Sequence, residues 1–266
     1  EHIEYQFAKF NNDPEATDES LTILVGGGGF TGIEFVGELA EQVPKWCRQY
    51  DIDRSKARII CVEAGPSILP GFDQDLIAYG QSSLENRGVE FKLGAMISEC
   101  TPNSFIIGEG EEEIKAGTIV WTGGVTGNSV LGQSGFELNR GKVTVNDDLR
   151  MPGEDNIFVL GDCAWVMNKA EDRPYPPTAQ NAIQQASIAA HNIKALLHHQ
   201  PLQSFVFDDK GTVASLGSTD GMGTVFSGHK LYGTQAALMK KVVDNRSLFL
   251  LGGAGLILKK GKLNPF

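Results

Sequence analysis

The sequence has little of what marks several functional classes. Its four cysteines (Cys47, Cys61, Cys100 and Cys163) form no CxxC pair and show no metal-like spacing. Neither a disulfide framework nor a metal site is expected, and a reducing compartment is. Basic residues are outnumbered, with 23 Lys and Arg against 33 Asp and Glu and a formal net charge of -10, which disfavours nucleic acid, whose recognition wants a basic stripe. No apolar run reaches the ~17–25 residues that cross a bilayer, and no signal-peptide pattern is present. Methionine is absent from position 1, and Glu1–Phe10 reads as a helix already in progress, so a preceding segment is expected. At 266 residues the length suits two domains of ordinary α/β composition.

Glycine, by contrast, is abundant at 32 residues, and its placement carries the first functional signal. Leu21–Val25 reads as a strand, Gly27-x-Gly29-x-x-Gly32 as a tight turn, and Ile33, Val36, Leu39 and Ala40 recur at helical period. Strand, glycine turn and helix in that order form the context of a dinucleotide fingerprint. Gly27 makes the turn, Gly29 lets a pyrophosphate approach the backbone, and Gly32 lets the helix pack close to the strand. The helix opens at Phe30 and Thr31, where unpaired N–H groups and about half a positive charge would meet the anion. A glycine turn without a ligand is the competing reading.

Ala57–Glu63 reads as a buried strand ending in an acid. A carboxylate there accepts hydrogen bonds from ribose hydroxyls and repels a 2′-phosphate, which favours NAD(H) over NADP(H). The spacing exceeds the usual interval of about twenty residues, because a polar insertion expected over Pro44–Lys56 lengthens the crossover. A solvated strand-end carboxylate is the alternative for Glu63.

Along the rest of the chain, residues 1–10 read as a short amphipathic helix and residues 11–19 as a polar linker. Asp73–Arg87 is helical and closed by Gly88. Val89–Lys92, Ala95–Cys100, Ser104–Ile107 and a segment near Ile114 read as a meander covering one side of a parallel sheet. Thr118–Trp121 is a buried strand running into Thr122-Gly123-Gly124. Strands are expected at Lys142–Val145 and Asn156–Leu160, the latter entering Gly161-Asp162. Thr178 is a candidate N-cap for a helix reaching Leu197. Strands at Gly211–Leu216 and Gly223–Phe226 and a helix near Leu231–Val243 precede an apolar tail that ends in Lys259-Lys260-Gly261-Lys262.

In combination, Gly28–Leu39 (GGFTGIEFVGEL), Thr122–Val125 (TGGV), Gly161–Ala164 (GDCA) and Pro176–Gln185 (PPTAQNAIQQ) resemble the type II NADH:quinone oxidoreductases. These belong to the two-dinucleotide flavoproteins, in which an NAD(P)H domain interrupts an FAD domain. The resemblance implies an α/β fold: a Rossmann-like NAD(H) domain with an antiparallel meander, a partial FAD domain, and a C-terminal α+β membrane-associating region. The corresponding boundaries are 1–19 for the end of an FAD-domain helix and linker, 20–125 for the NAD(H) domain, 126–204 for the C-terminal part of the FAD domain, and 205–266 for the membrane and quinone region. The family carries a first GxGxxG for FAD upstream of the NAD domain, and this sequence has none. A fragment lacking its N-terminal third, inactive alone and retaining little flavin, is therefore expected.

The resemblance also implies roles. Gly27, Gly29, Phe30, Thr31, Gly32 and Glu63 would hold NADH. Glu34 would sit near the nicotinamide and flavin edge, against the alternative of a first-turn glutamate complementing the helix dipole. Thr122, Gly123, Gly124, Gly161, Asp162 and Ala179 would approach FAD. Gln180 and Gln184, four apart on one helix face, would reach the flavin edge or a quinone carbonyl, and a solvated glutamine face is the alternative. Lys240 or Lys241 would be the further approach to the flavin, against the favoured reading of each as an exposed helix lysine. The reaction implied is hydride transfer from NADH to FAD, then two electrons to a membrane quinone without proton pumping. Ser247–Leu258 followed by lysines suits a helix lying on a bilayer surface, so a peripheral protein of the cytoplasmic face is expected, and a homodimer contact is the competing use of that tail. The rival readings are a sulfide:quinone oxidoreductase-like flavoprotein, which needs paired catalytic cysteines, and a non-catalytic NAD-binding module. The disulfide reductases fit less well, since no C-terminal histidine–glutamate pair is visible.

Overall fold

The computed structural model describes residues 1–226 and 228–261; Lys262 of the basic tail lies outside the described residues. The chain forms two compact units, Glu1–Gly123 together with the chain from Lys210 onward, and Gly124–Asp209.

The first unit opens with helix α1 (His2–Phe10), whose buried Phe7 packs on Trp46 at a ring-centroid distance of 5.5 Å. Strand β1 (Thr22–Gly26), helix α2 (Phe30–Gln49), strand β2 (Arg58–Glu63), helix α3 (Gln74–Glu85) and strand β3 (Val89–Leu93) follow. Three short antiparallel strands come next, β4 (Ile97–Cys100), β5 (Ser104–Ile107) and β6 (Glu112–Lys115), and then β7 (Thr118–Trp121). The parallel sheet runs β3-β2-β1-β7. Alternate side chains of a strand point to opposite faces. Ile23 and Val25 therefore pack with Ile33 and Val36 of α2, while Leu24, Ile60 and Val62 pack with Phe105, Ile107 and Ile114 of the meander. Burial of both faces is why β1 and β2 read as unbroken apolar runs.

Two local expectations change. Val89–Lys92 joins the parallel sheet, with Ile59 opposite Val89, because a strand that follows α3 completes a right-handed crossover onto that edge. Only β4–β6 form the meander. Helix α2 also continues through Pro44 to Gln49, so the insertion begins later than expected. Its buried stripe persists through Val43 and Cys47, and that burial offsets the one backbone hydrogen bond that a proline removes.

The second unit contains α4 (Val130–Gln133), the parallel pair β8 (Val143–Thr144) and β9 (Ala164–Trp165), the hairpin β10 (Met167–Asn168) and β11 (Arg173–Pro174), and α5 (Ala179–Leu197). Its core holds Leu131, Val143, Leu149, Val159, Ala164, Ala189 and Phe205. Asn156–Leu160 makes only an isolated bridge between Arg150 and Phe158, and a strand needs a neighbour along its length to complete a ladder. Buried Asn192 ties two loops to α5, with its amide donating to Asp148 O (3.1 Å) and Gln203 O (2.8 Å).

The chain then returns to the first unit as an antiparallel sheet of β12 (Gly211–Ser215), β13 (Gly221–Val225) and β14 (His229–Tyr232), followed by α6 (Gly233–Lys260). The last strand stands where the helix was expected to begin. Ala214, Leu216 and Met222 join the core of α2 and α3, while Val213, Val225 and Leu231 cluster with Ala236 of α6. The tail helix expected over Ser247–Leu258 falls within α6 but is interrupted, its backbone non-helical at Gly252 and Gly253. Among the described residues no helix is long and apolar enough to cross a membrane.

Candidate functional site

In the first unit the glycine turn has the geometry its spacing predicts. Gly27 has φ +106°, a region that favours glycine, and a Cβ at Gly32 would lie 1.9 Å from Gly27 O. Gly29 precedes the first turn of α2, and a Cβ built there meets nothing within 4 Å. That open approach leads to the first-turn N–H groups at Phe30, Thr31 and Gly32, which have no intrahelical acceptor. No acidic residue occupies this first turn, which keeps it hospitable to an anion. Phe30 packs on Phe72 at 5.3 Å between ring centroids.

Glu63 closes the far side. Its Oε2 accepts from Gly28 N–H at 2.6 Å and its Oε1 from Gly65 N–H at 2.7 Å. Each carboxylate oxygen retains acceptor capacity for a hydroxyl. Beneath the turn, burial pushes the Cys61 thiol up to about 12, with help from the nearby Glu63 charge. Thr122 belongs to this site as its brace: its Oγ1 donates to Gly26 O at 2.8 Å and lies 3.1 Å from Gly27 O. A Cβ at Gly123 would strike the half-exposed Trp121 ring at 2.5 Å.

Glu34 stands in the second turn of α2, beyond the first-turn position that dipole complementation requires. Its Oε1 accepts from Ser215 N–H at 3.0 Å and lies 3.2 Å from Lys240 Nζ. Lys240 is therefore not the exposed helix lysine expected from the sequence; it lies between Glu34 and Asp244 (3.3 Å). Burial disfavours its charge, but the two carboxylates outweigh burial and hold its pKa above the usual lysine value.

The second unit holds the other motifs. Gly161, at φ +64°, begins a short turn through Cys163, and its N–H donates to Gln185 Oε1 at 2.7 Å. Thr178 caps α5 by accepting from Asn181 N–H at 3.2 Å. A cavity of about 10 Å³, room for one water-sized group, is lined by Lys142, Asp162, Thr178, Asn181 and Gln185 among others. Asn181 donates to Pro176 O (3.0 Å), yet its Oδ1 is buried without a partner. A buried acceptor left unpaired costs about 1–3 kcal/mol, so this is where the unit is incomplete by itself. Gln185, which the sequence offered only as part of the Gln184-Gln185 quinone signature, instead receives the Gly161 N–H, and Asn181, not singled out from the sequence, lines the same cavity. Gln184 is turned elsewhere, exchanging two 2.9 Å hydrogen bonds with the Asp208 backbone. Among the described residues no group of three His, Cys, Asp or Glu side chains could hold a metal ion.

The sequence profile described as pyridine nucleotide-disulphide oxidoreductase matches residues 5–186. The chain belongs to this family. Among its relatives, type II NADH:quinone oxidoreductases of Staphylococcus aureus and Staphylococcus epidermidis are each 46% identical over 98% of this chain. The match spans 65% of each relative's length. Solved structures share the fold. NDH2 from Plasmodium falciparum in complex with NADH superposes with a TM-score of 0.81 at 17% identity, covering 92% of this chain and 66% of that one. The sulfide:quinone oxidoreductase of Aquifex aeolicus gives 0.67 at 18% identity, covering 88% and 59%. At such identities the two structures speak to the fold alone.

Proposed function

We propose that the chain carries the NADH-binding and quinone-facing parts of an FAD-dependent, non-proton-pumping NADH:quinone oxidoreductase. The observation that carries this reading is the glycine turn, with its Gly29 approach open and Glu63 closing the ribose side. The 46% identity to the staphylococcal enzymes supports the same reading.

In this proposal Gly27, Gly29, Gly32 and the α2 N-terminus at Phe30 and Thr31 hold the NADH pyrophosphate. Glu63 accepts from the ribose hydroxyls and repels a 2′-phosphate. Glu34, fixed by Ser215 and Lys240, stands beside the nicotinamide. Gly123, Gly124, Gly161, Asp162 and Ala179 line FAD, with Thr122 acting through the turn it braces. When bound, FAD supplies hydride acceptance and delivery of two electrons to a quinone. The orphaned Asn181 Oδ1 fits a group that brings a donor to the α5 N-terminus. Gln180 faces the flavin edge or quinone, and Gln184 acts by holding the Asp208 segment.

The domain assignments follow: residues 20–125 bind NAD(H), 126–204 form part of the FAD domain after its closing helix at 1–19, and 205–266 serve the membrane and quinone. The end of α6 exposes Leu250 and Leu251 before the Gly252–Gly253 break and Leu258 after it, ahead of Lys259 and Lys260, a pattern suited to a peripheral contact with anionic lipid on the cytoplasmic face. A homodimer is the other use of that surface. The sulfide:quinone alternative is disfavoured, since the second unit contains one cysteine, Cys163.

The decisive experiment is turnover of the intact, full-length protein loaded with flavin, with a soluble quinone and NADH, NADPH or sulfide. NADH-dependent reduction well above the NADPH rate is expected. Sulfide-dependent reduction without NADH, or tight NADH binding with no turnover, would overturn the proposal.

A further inference from the structure

Helix α2 carries Glu34, Gly37 and Glu41 at spacings of three and four, which puts them on one face. That face receives the chain from Ser215 to Ser218, where β12 ends. Glu34 Oε1 takes the Ser215 N–H at 3.0 Å and Glu41 Oε1 takes the Ser218 N–H at 2.7 Å. Between them the backbone lies directly on the helix: a Cβ at Gly37 would fall 2.5 Å from Leu216 C and 2.8 Å from its O. Leu216 itself is fully buried. The segment cannot relax easily, because Gly217 has φ +130° and its N–H and O both engage Ser215 Oγ, at 3.2 and 2.8 Å.

We propose that Gly37 and Glu41 are positioning residues for Glu34, clamping the Ser215–Ser218 backbone onto α2 so that the Ser215 N–H holds the Glu34 carboxylate in place. This rests on the reading of Glu34 as the group beside the nicotinamide. A methyl group at residue 37 meets backbone atoms rather than a pliable side chain, so the strand must lift, and the Ser215 hydrogen bond lies one residue from the point of lift. Glu41 secures the other end of the segment; without it the turn is free to peel from Ser218 back toward Ser215.

The test is a double-mutant cycle in the intact, full-length flavin-loaded protein, read as the single-turnover rate of flavin reduction by NADH, alongside amide hydrogen exchange at Ser215 in the flavin-free protein. Gly37→Ala and Glu41→Ala are each expected to slow reduction about tenfold, since small misplacements at a reacting centre are costly, while NADH affinity stays within about twofold. Glu41→Gln, which still accepts the Ser218 N–H, restores the rate. Both damaging variants accelerate Ser215 exchange. In a Glu34→Ala background neither slows reduction further, the non-additivity expected of residues acting through one group.

An undiminished loss in the Glu34→Ala background would overturn the proposal by showing that Gly37 and Glu41 act through general packing. Unchanged Ser215 exchange would overturn the clamp itself. Should Gly37→Ala fail to fold, the Glu41 variants complete the cycle. If Glu34→Ala leaves flavin reduction untouched, the role of Glu34 falls, and Ser215 exchange alone decides the clamp.

Discussion

Glu34 of α2 and Lys240 of α6 meet at 3.2 Å, joining the helix that follows the glycine turn to the helix that ends the described chain. The pair is mostly screened from solvent, with side chains 30% and 23% exposed.

Because the Lys240 pKa is raised, the pair's contribution to stability is complete below the ordinary lysine value of about 10.4 and is lost as pH rises through the higher folded value. Lys240→Met should cost on the order of 1–2 kcal/mol at neutral pH, between exposed and buried pairs. Thermal melts at pH 7 to 12 check this: the gap between parent and variant should narrow above about pH 10.

Gly32→Ala places a methyl group 1.9 Å from Gly27 O and 2.8 Å from Thr122 Oγ1. The turn must open to admit it, at a cost of about 1–3 kcal/mol. NADH titration followed by cofactor fluorescence should show affinity down more than about tenfold, since the pyrophosphate needs that close approach.

Glu63→Ala removes acceptors from both the Gly28 and Gly65 N–H groups and the charge that opposes a 2′-phosphate. NADH affinity should fall by roughly 10- to 100-fold, the scale of a hydrogen bond to a charged group. NADPH affinity should fall less, and the ratio of the two constants is the measurement.

Deleting the chain from Leu248 onward removes the exposed Phe249, Leu250, Leu251 and Leu258 with the following lysines. Flotation with anionic liposomes should lose the protein from the lipid fraction, while NADH affinity stays unchanged. Flotation equal to the parent would remove the lipid-surface reading.

Much of the architecture was legible in the sequence because the features concerned are local. The Gly27–Gly32 turn, the unbroken apolar runs of β1 and β2 and the Thr178 cap depend on residues within one or two turns of one another, where backbone sterics and side-chain period decide the outcome. The sequence also supplied Glu63 as the acid ending β2, whereas Asp162, expected at a strand end, lies in the short Gly161–Cys163 turn. Only the tertiary structure decided what Glu34 touches, since Ser215 and Lys240 come from the far end of the chain, and a pattern confined to α2 carries no trace of them. The same holds for Gln184 and Gln185: helical period put both on α5, but packing alone turned one to the Asp208 backbone and the other to Gly161. Val89–Lys92 alternates apolar and charged residues and is short enough for either sheet, and its place beside β2 followed from the crossover. Local chemistry thus determined the elements and the dinucleotide turn, while long-range contacts decided which polar groups are paired, and with whom.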